Sequence, residues 1–318
     1  MLVSDRPSTT QSRLCHAVAI LAALCAVPLL VSGAQVTTNR VGMAVPDWPT
    51  TFGVNMFLYN FFEAPLGVFI EHRHRLFGTA LGIASIVLAV WFVAADRRRW
   101  MKALGIATLA AVSIQGLLGG IRVRQNSTTF AAIHGCSGQA VFALLIALCV
   151  FTGGDWRGAE SVSIDPDHLR RRSLVTLLLV YAQIVVGATL RHFGANLVFH
   201  MVVAGAVWGH VAWLTWRIER IKASVPSLLG PSRWMAIAVT LQVALGIAAW
   251  WVLRPFDGIP RYVDRVQAIF RSGHVVNGAM LLAATLVVTL RAFRHLASPA
   301  PSHDMKQTVS ALAREALA

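Results

Sequence analysis

Charged side chains are scarce in this chain. Only 13% of its 318 residues are Asp, Glu, Lys or Arg, against about 25% in a soluble domain. Hydrophobic residues make up 56% and the mean hydropathy is +0.62. This balance excludes a soluble globular enzyme and marks a polytopic membrane protein. Acidic residues are rarest: 14, against 28 Lys and Arg, giving a formal charge of +14. That excess implies no nucleic-acid partner, because the basic residues sit in short clusters between apolar runs rather than along one face. Cysteine is sparse as well. Cys15, Cys25, Cys136 and Cys149 lie in or beside apolar runs with no Cys-x-x-Cys, which argues against zinc or iron–sulfur and for small core residues. Paired Gly/Pro interruptions at mid-membrane, common in transporters, are missing; Pro28 stands alone.

What is present is a series of apolar runs, each near the roughly 20 residues needed to cross a bilayer. Eight are expected, at 14–36, 71–95, 101–121, 130–152, 172–190, 195–217, 232–253 and 270–292. The first has features of a signal peptide, with Arg6 and Arg13 before it and Ser32-Gly33-Ala34 near its end. It is long, and Gly33-Ala34 recurs later, so a retained helix is expected. Compact basic clusters fall on one side, such as Arg97-Arg98-Arg99 with Lys102, and Arg170-Arg171-Arg172. They predict both termini in the cytoplasm, with the even-numbered runs entering from outside. Two outer loops are long, at 37–70 and 254–271, and their aromatic and apolar content predicts ordered lids. The tail after His295 is polar.

The runs repeat. Gly33-Ala34 in the first answers Gly187-Ala188 in the fifth, and Gln115-x-x-x-Gly119 in the third answers Gln242-x-x-x-Gly246 in the seventh. Gln183-x-x-x-Gly187 has the same spacing. Small residues let helices approach, and an intramembrane glutamine needs a partner. The fold class expected is therefore all-α, with eight transmembrane helices in two pseudo-symmetric four-helix bundles. The halves are 14–152 and 172–295, joined by a linker at 153–171 and flanked by cytoplasmic segments 1–13 and 296–318.

Histidines give the repeat chemistry. His74, His134, His200 and His274 each fall in the first turn or two of an even-numbered run, two per half. Paired imidazoles on facing helices are the usual axial ligands of haem iron in a bundle. His72 and His192 lie at the outer edge as competing candidates, and His210 lies deeper. Arg75, Arg122, Arg124, Arg191 and Arg271 are candidate partners for haem propionates. One half has an extra group. In Glu71-His72-Arg73-His74-Arg75, Glu71 and His74 share a helix face, whereas nothing equivalent precedes the other three histidines. A carboxylate beside one haem site points to handling protons or stabilising positive charge there. Two equivalent sites would instead describe a non-catalytic di-haem b electron-transfer subunit.

With Glu71-x-x-His74-Arg75, Pro46-Asp47-Trp48-Pro49 in the first outer loop, four histidines and a doubled eight-helix bundle, the chain resembles the haem A synthase family over about residues 14–295. The resemblance implies an oxidoreductase of the bacterial cytoplasmic membrane that converts the C8 methyl of haem O to a formyl group by successive hydroxylations, for cytochrome oxidase biogenesis. It implies a haem b cofactor on His200 and His274, the substrate haem on His74 and His134 with Arg75 nearby, and Glu71 as the catalytic carboxylate. It suggests haem O synthase, cytochrome oxidase assembly factors, lipid, an electron acceptor and further copies of the chain as partners. Many bacterial relatives carry a cysteine pair in the first outer loop; here Val45 precedes Pro46 and that loop has no cysteine.

Overall fold

The computed structural model describes residues 9–158, 161–253 and 263–297. Residues 1–8 of the expected N-terminal segment, the centre of the second outer loop (254–262) and the tail beyond 297 lie outside the described residues. The helices are α1 (Thr9–Thr38), α2 (Leu66–Ala95), α3 (Arg99–Arg124), α4 (Thr128–Thr152), the single turn α5 (Gly154–Arg157), α6 (Leu169–Phe193), α7 (Leu197–Arg220), α8 (Leu229–Leu253) and α9 (Arg265–His295). All but α5 are long and apolar enough to cross a membrane, which makes the chain a multi-pass membrane protein. The physical reason is that a backbone in lipid finds no water and must close its hydrogen bonds internally.

Polar residues set the ends. The Ser127 hydroxyl accepts from the Phe130 N–H at 3.2 Å and starts α4, and the Asp264 carboxylate accepts from the Gln267 N–H at 2.7 Å and starts α9. Gly194 ends α6 with φ of +72°. Helix α2, from Leu66, and helix α9, from Arg265, each begin five residues before their expected apolar runs. His74 and His274 therefore sit in the third turn, not the first or second. At α9 the Asp264 cap lets the helix start before the sequence turns apolar.

In the N-terminal half, α1, α2, α3 and α4 form a ring in which each helix packs on its two neighbours; α6, α7, α8 and α9 do the same. The halves meet through α4 on α9, α1 on α9, and α4 on α6. Exchanging α1 with α6 and α4 with α9 maps these contacts onto themselves, so the arrangement has the two-fold character that the repeat predicts. The first helix is an integral member, burying Cys15, Ala19 and Ala22 in the core.

The tightest packing lies at the end away from the long loop. Leu88, Phe92, Met101, Leu145 and Leu148 are fully buried there in one half, as are Leu169, Leu214, Ile218, Leu228 and Val288 in the other. The four histidines at the opposite end are only partly buried, so the centre of each bundle is less filled where they stand.

Candidate functional site

The structure brings the four histidines together in two pairs. His74 on α2 faces His134 on α4, and His200 on α7 faces His274 on α9; the ring centroids are 6.3 Å apart in both. The rings cross at 88° and 68°. In each ring of four helices the partners come from diagonally opposite members, so each pair spans its bundle's centre.

Every one of these imidazoles rests on a glycine of the preceding long helix. A methyl group added to Gly33, Gly119, Gly187 or Gly246 would lie 2.9, 3.2, 3.2 or 3.0 Å from Cε1 of His74, His134, His200 or His274. A side chain at any of these places would push the ring, which is why the backbone must come this close. The residue four before the glycine completes the support. Gln183 Nε2 lies 3.1 Å from His200 Nδ1 and donates to the His200 carbonyl at 2.9 Å. Gln115, with its nitrogen toward the ring, makes the same two contacts to His134 at 3.0 and 3.2 Å. Gln242 Nε2 lies 3.4 Å from His274 Nε2, while its carbonyl lies 3.1 Å from His274 Nδ1.

These features fit an iron porphyrin held between two imidazoles. Two metal–nitrogen bonds of about 2 Å, plus roughly 1 Å from each ring centroid to its nitrogen, span about 6 Å. A ligating histidine also needs its second nitrogen fixed by a partner. His274 Nδ1 faces a main-chain carbonyl, which fixes it as the donor and puts the lone pair on Nε2, the nitrogen that the Gln242 carboxamide approaches. At His134 and His200 the partner is a carboxamide, which presents N–H or C=O to Nδ1 by a half-turn about its last bond.

One turn above His74 sits Glu71, 2% exposed. Its Oε1 lies 3.2 Å from Arg75 Nη2 and 3.8 Å from Arg122 Nη2, and its Oε2 accepts from the Val45 N–H at 3.0 Å. Arg122 stands three residues beyond Gly119, so the acid–arginine layer caps the His74–His134 layer from the loop side. Arg122 also donates to the Gly42 carbonyl at 2.8 Å, and a methyl on Gly42 would strike that guanidinium at 2.6 Å.

Residues 39–65 form the ordered lid that their composition predicts. Asp47 organises it, accepting from the Phe52 N–H at 2.8 Å, the Gly53 N–H at 2.9 Å and the Thr50 hydroxyl. Phe52 and Gly53 have φ of +52° and +77°, the tight turn that closes Thr51 on Val54. Burial raises the Asp47 carboxyl, but the Gly53 N–H, the Thr50 hydroxyl and the Phe52 N–H outweigh it and hold it down at about 2. Trp48 lies against Gly120 so closely that a methyl there would stand 2.5 Å from the indole.

Three sequence expectations are adjusted. Arg75, expected at a propionate, grips the lid: Nη1 donates to the Asp47 and Thr50 carbonyls at 2.7 and 3.0 Å, and Nη2 to the Val45 carbonyl at 2.8 Å. His72, a competing ligand candidate at the outer edge, is turned to the loop. It is fully buried under the lid, its Nδ1 3.1 Å from the Thr51 hydroxyl and its ring 4.7 Å from Phe61, away from His134. Arg191 and Arg271 join the halves: Arg191 donates to the Ala34 carbonyl and the Thr38 hydroxyl at 2.9 Å, and Arg271 to the Thr38 carbonyl at 3.4 Å. Ser32, Thr38 and the glycine beneath each histidine were not singled out for the site. Their signal is a small residue one helix back from each histidine, visible only once the helices are known to be adjacent.

The family model described as cytochrome oxidase assembly protein, COX15-CtaA, matches residues 16–200. The match takes in Glu71, His74, His134 and His200. No curated protein matches the chain. The chain belongs to the haem A synthase family of cytochrome oxidase assembly proteins.

Proposed function

We propose that the chain is an oxidoreductase that converts the C8 methyl of haem O to the formyl group of haem A through an alcohol. The observation that carries this is an asymmetry between otherwise matched halves. Both have a histidine pair at 6.3 Å, but among the described residues only the N-terminal pair has a buried carboxylate one turn above it. His74 and His134 would hold the substrate haem, and His200 and His274 a haem b cofactor, which when bound supplies electron transfer.

The side chains then have distinct tasks. Glu71 takes up protons leaving the methyl carbon or stabilises positive charge developing there. Arg75, Arg122 and the Val45 N–H fix its carboxylate in place, so it need not reorganise during the reaction. The lid, clamped by Arg75, keeps water from this layer. Basic clustering supports an orientation with both termini in the cytoplasm and the lid outside, in a bacterial cytoplasmic membrane. The substrate would come from lipid or a haem O synthase, and the product would go to cytochrome oxidase assembly.

Pigment extraction from the full-length protein, purified from cells supplied with haem O, tests the reading. Haem A or its alcohol precursor is expected, and Glu71→Gln should retain haem while losing both products. Haem B alone in every preparation would overturn it in favour of a di-haem electron-transfer subunit.

A further inference from the structure

The N-terminal pair departs from its own pattern at one position. Gln115, Gln183 and Gln242 each stand four residues before the glycine under a histidine; before Gly33 the residue is Leu29. Leu29 occupies the same place in space. A methyl on Gly78, four residues after His74, would lie 3.9 Å from Leu29 Cδ1. Four residues after His134 and His274, methyls on Gly138 and Gly278 would lie 3.8 Å from Gln115 Oε1 and 3.3 Å from Gln242 Nε2. At His74 an apolar side chain therefore replaces the carboxamide.

Ser32 takes over part of its work. Its Oγ lies 3.1 Å from His74 Nδ1 and donates to the Leu29 carbonyl at 3.0 Å. A hydroxyl has one hydrogen, and this one is engaged, so toward His74 Ser32 accepts. That fixes Nδ1 as the donor and frees the Nε2 lone pair. The Ser32 hydroxyl and the Leu29 main chain now hold a ring that at the other three positions also meets a carboxamide. On its other side Ser32 lines a crevice of about 340 Å³ between α1 and α2, walled by Pro28, Val31, Gln35, Arg73 and Phe77.

We propose that Leu29 and Ser32 make His74 the releasable ligand of the N-terminal pair, with Ser32 as its positioning residue. A site that turns over a haem must let it go, whereas a resident cofactor must stay. The inference rests on the paired-histidine reading and adds which of the four ligands yields first.

The test is haem release from the full-length protein in detergent, loaded with haem b at both pairs and mixed with excess apomyoglobin. Two phases are expected, the faster one abolished by His74→Ala. Leu29→Gln should slow the faster phase about fivefold, Ser32→Ala should speed it by a similar factor, and Gln183→Leu should speed the slower phase, each from about one net hydrogen bond. A folded Leu29→Gln variant with an unchanged faster phase would overturn the inference alone. If that variant fails to fold, Ser32→Ala decides, and an unchanged faster phase there overturns it equally. A single phase that ignores His74→Ala would overturn the paired-histidine reading and this inference with it.

Discussion

Gly33 and His74 are in contact distance so short that one methyl group could not be added between them: a Cβ on Gly33 would stand 2.9 Å from Cε1 of the imidazole. The same relationship recurs under the other three histidines. It ties the height and tilt of each ring to the backbone of its neighbouring helix, so the ring is positioned before any ligand arrives.

Alanine at these positions should therefore damage ligation without unfolding the bundle. Within a helix Ala is favoured over Gly by about 1 kcal/mol, which offsets part of the local crowding. Gly33→Ala is expected to lower haem content at the N-terminal pair only, and Gly187→Ala at the C-terminal pair only. Pyridine haemochrome titration of each variant checks this, with thermal unfolding shifted by a few degrees at most.

Arg75 is the clamp of the lid, with three main-chain carbonyls and Glu71 on its terminal nitrogens. Arg75→Ala should release residues 45–51, weakening their docking by about 2–4 kcal/mol. Arg75→Lys should restore little, because a single ammonium cannot reproduce the fork. Hydrogen exchange at the Val45 and Thr51 amides, both bonded in the closed lid, reads the outcome.

Lid order should also respond to acid through Asp47. Its folded value is about 2, below the ordinary 3.8. The sign follows: the carboxylate's stabilisation is fully present above about pH 4 and is lost as the pH falls through about 2. Exchange at the Phe52 and Gly53 amides should stay protected at pH 5 and rise as pH drops toward 2. Asp47→Asn should raise it at neutral pH.

Thr38 is fully buried where the halves meet, taking hydrogen bonds from Arg191 and Arg271 and contacting the Ser272 hydroxyl at 3.1 Å. Arg191 follows Gly187 by one turn, and Arg271 precedes His274 by about one turn. Thr38→Val should leave the Ser272 hydroxyl without its acceptor and remove one of the two acceptors of Arg191 Nη2, destabilising the protein by about 1–3 kcal/mol, while the main-chain carbonyl still accepts from Arg271. Because Arg191 and Ser272 lead to the C-terminal pair, the absorption spectrum of haem bound there should shift, while that of a Gly187-distant variant such as Leu117→Ala should not.

Much of this protein was legible from residue order. Runs of about twenty apolar residues can only be helices in lipid, so the eight spans, the doubled bundle and the four histidines followed from composition and spacing. The Glu71–His74 face followed from helical period. The lid's order followed only in outline, because its organising contacts join Asp47 to Gly53 and Arg75 to Val45 across a turn that no periodicity encodes.

What three-dimensional packing decided is which side chains meet. The sequence offered Arg75, Arg122, Arg191 and Arg271, with Arg124, alike as candidate propionate partners. Packing sent one to the lid, one to Glu71 and two to the seam between the halves. It also set His74 rather than His72 against His134, since residues two apart on a helix point about 160° away from each other and only one can face the bundle's centre. Sequence alone determined that the chain crosses the membrane eight times and carries imidazoles near one end. What lies beneath each, and how closely the backbone approaches it, depended on contacts between helices far apart in the chain.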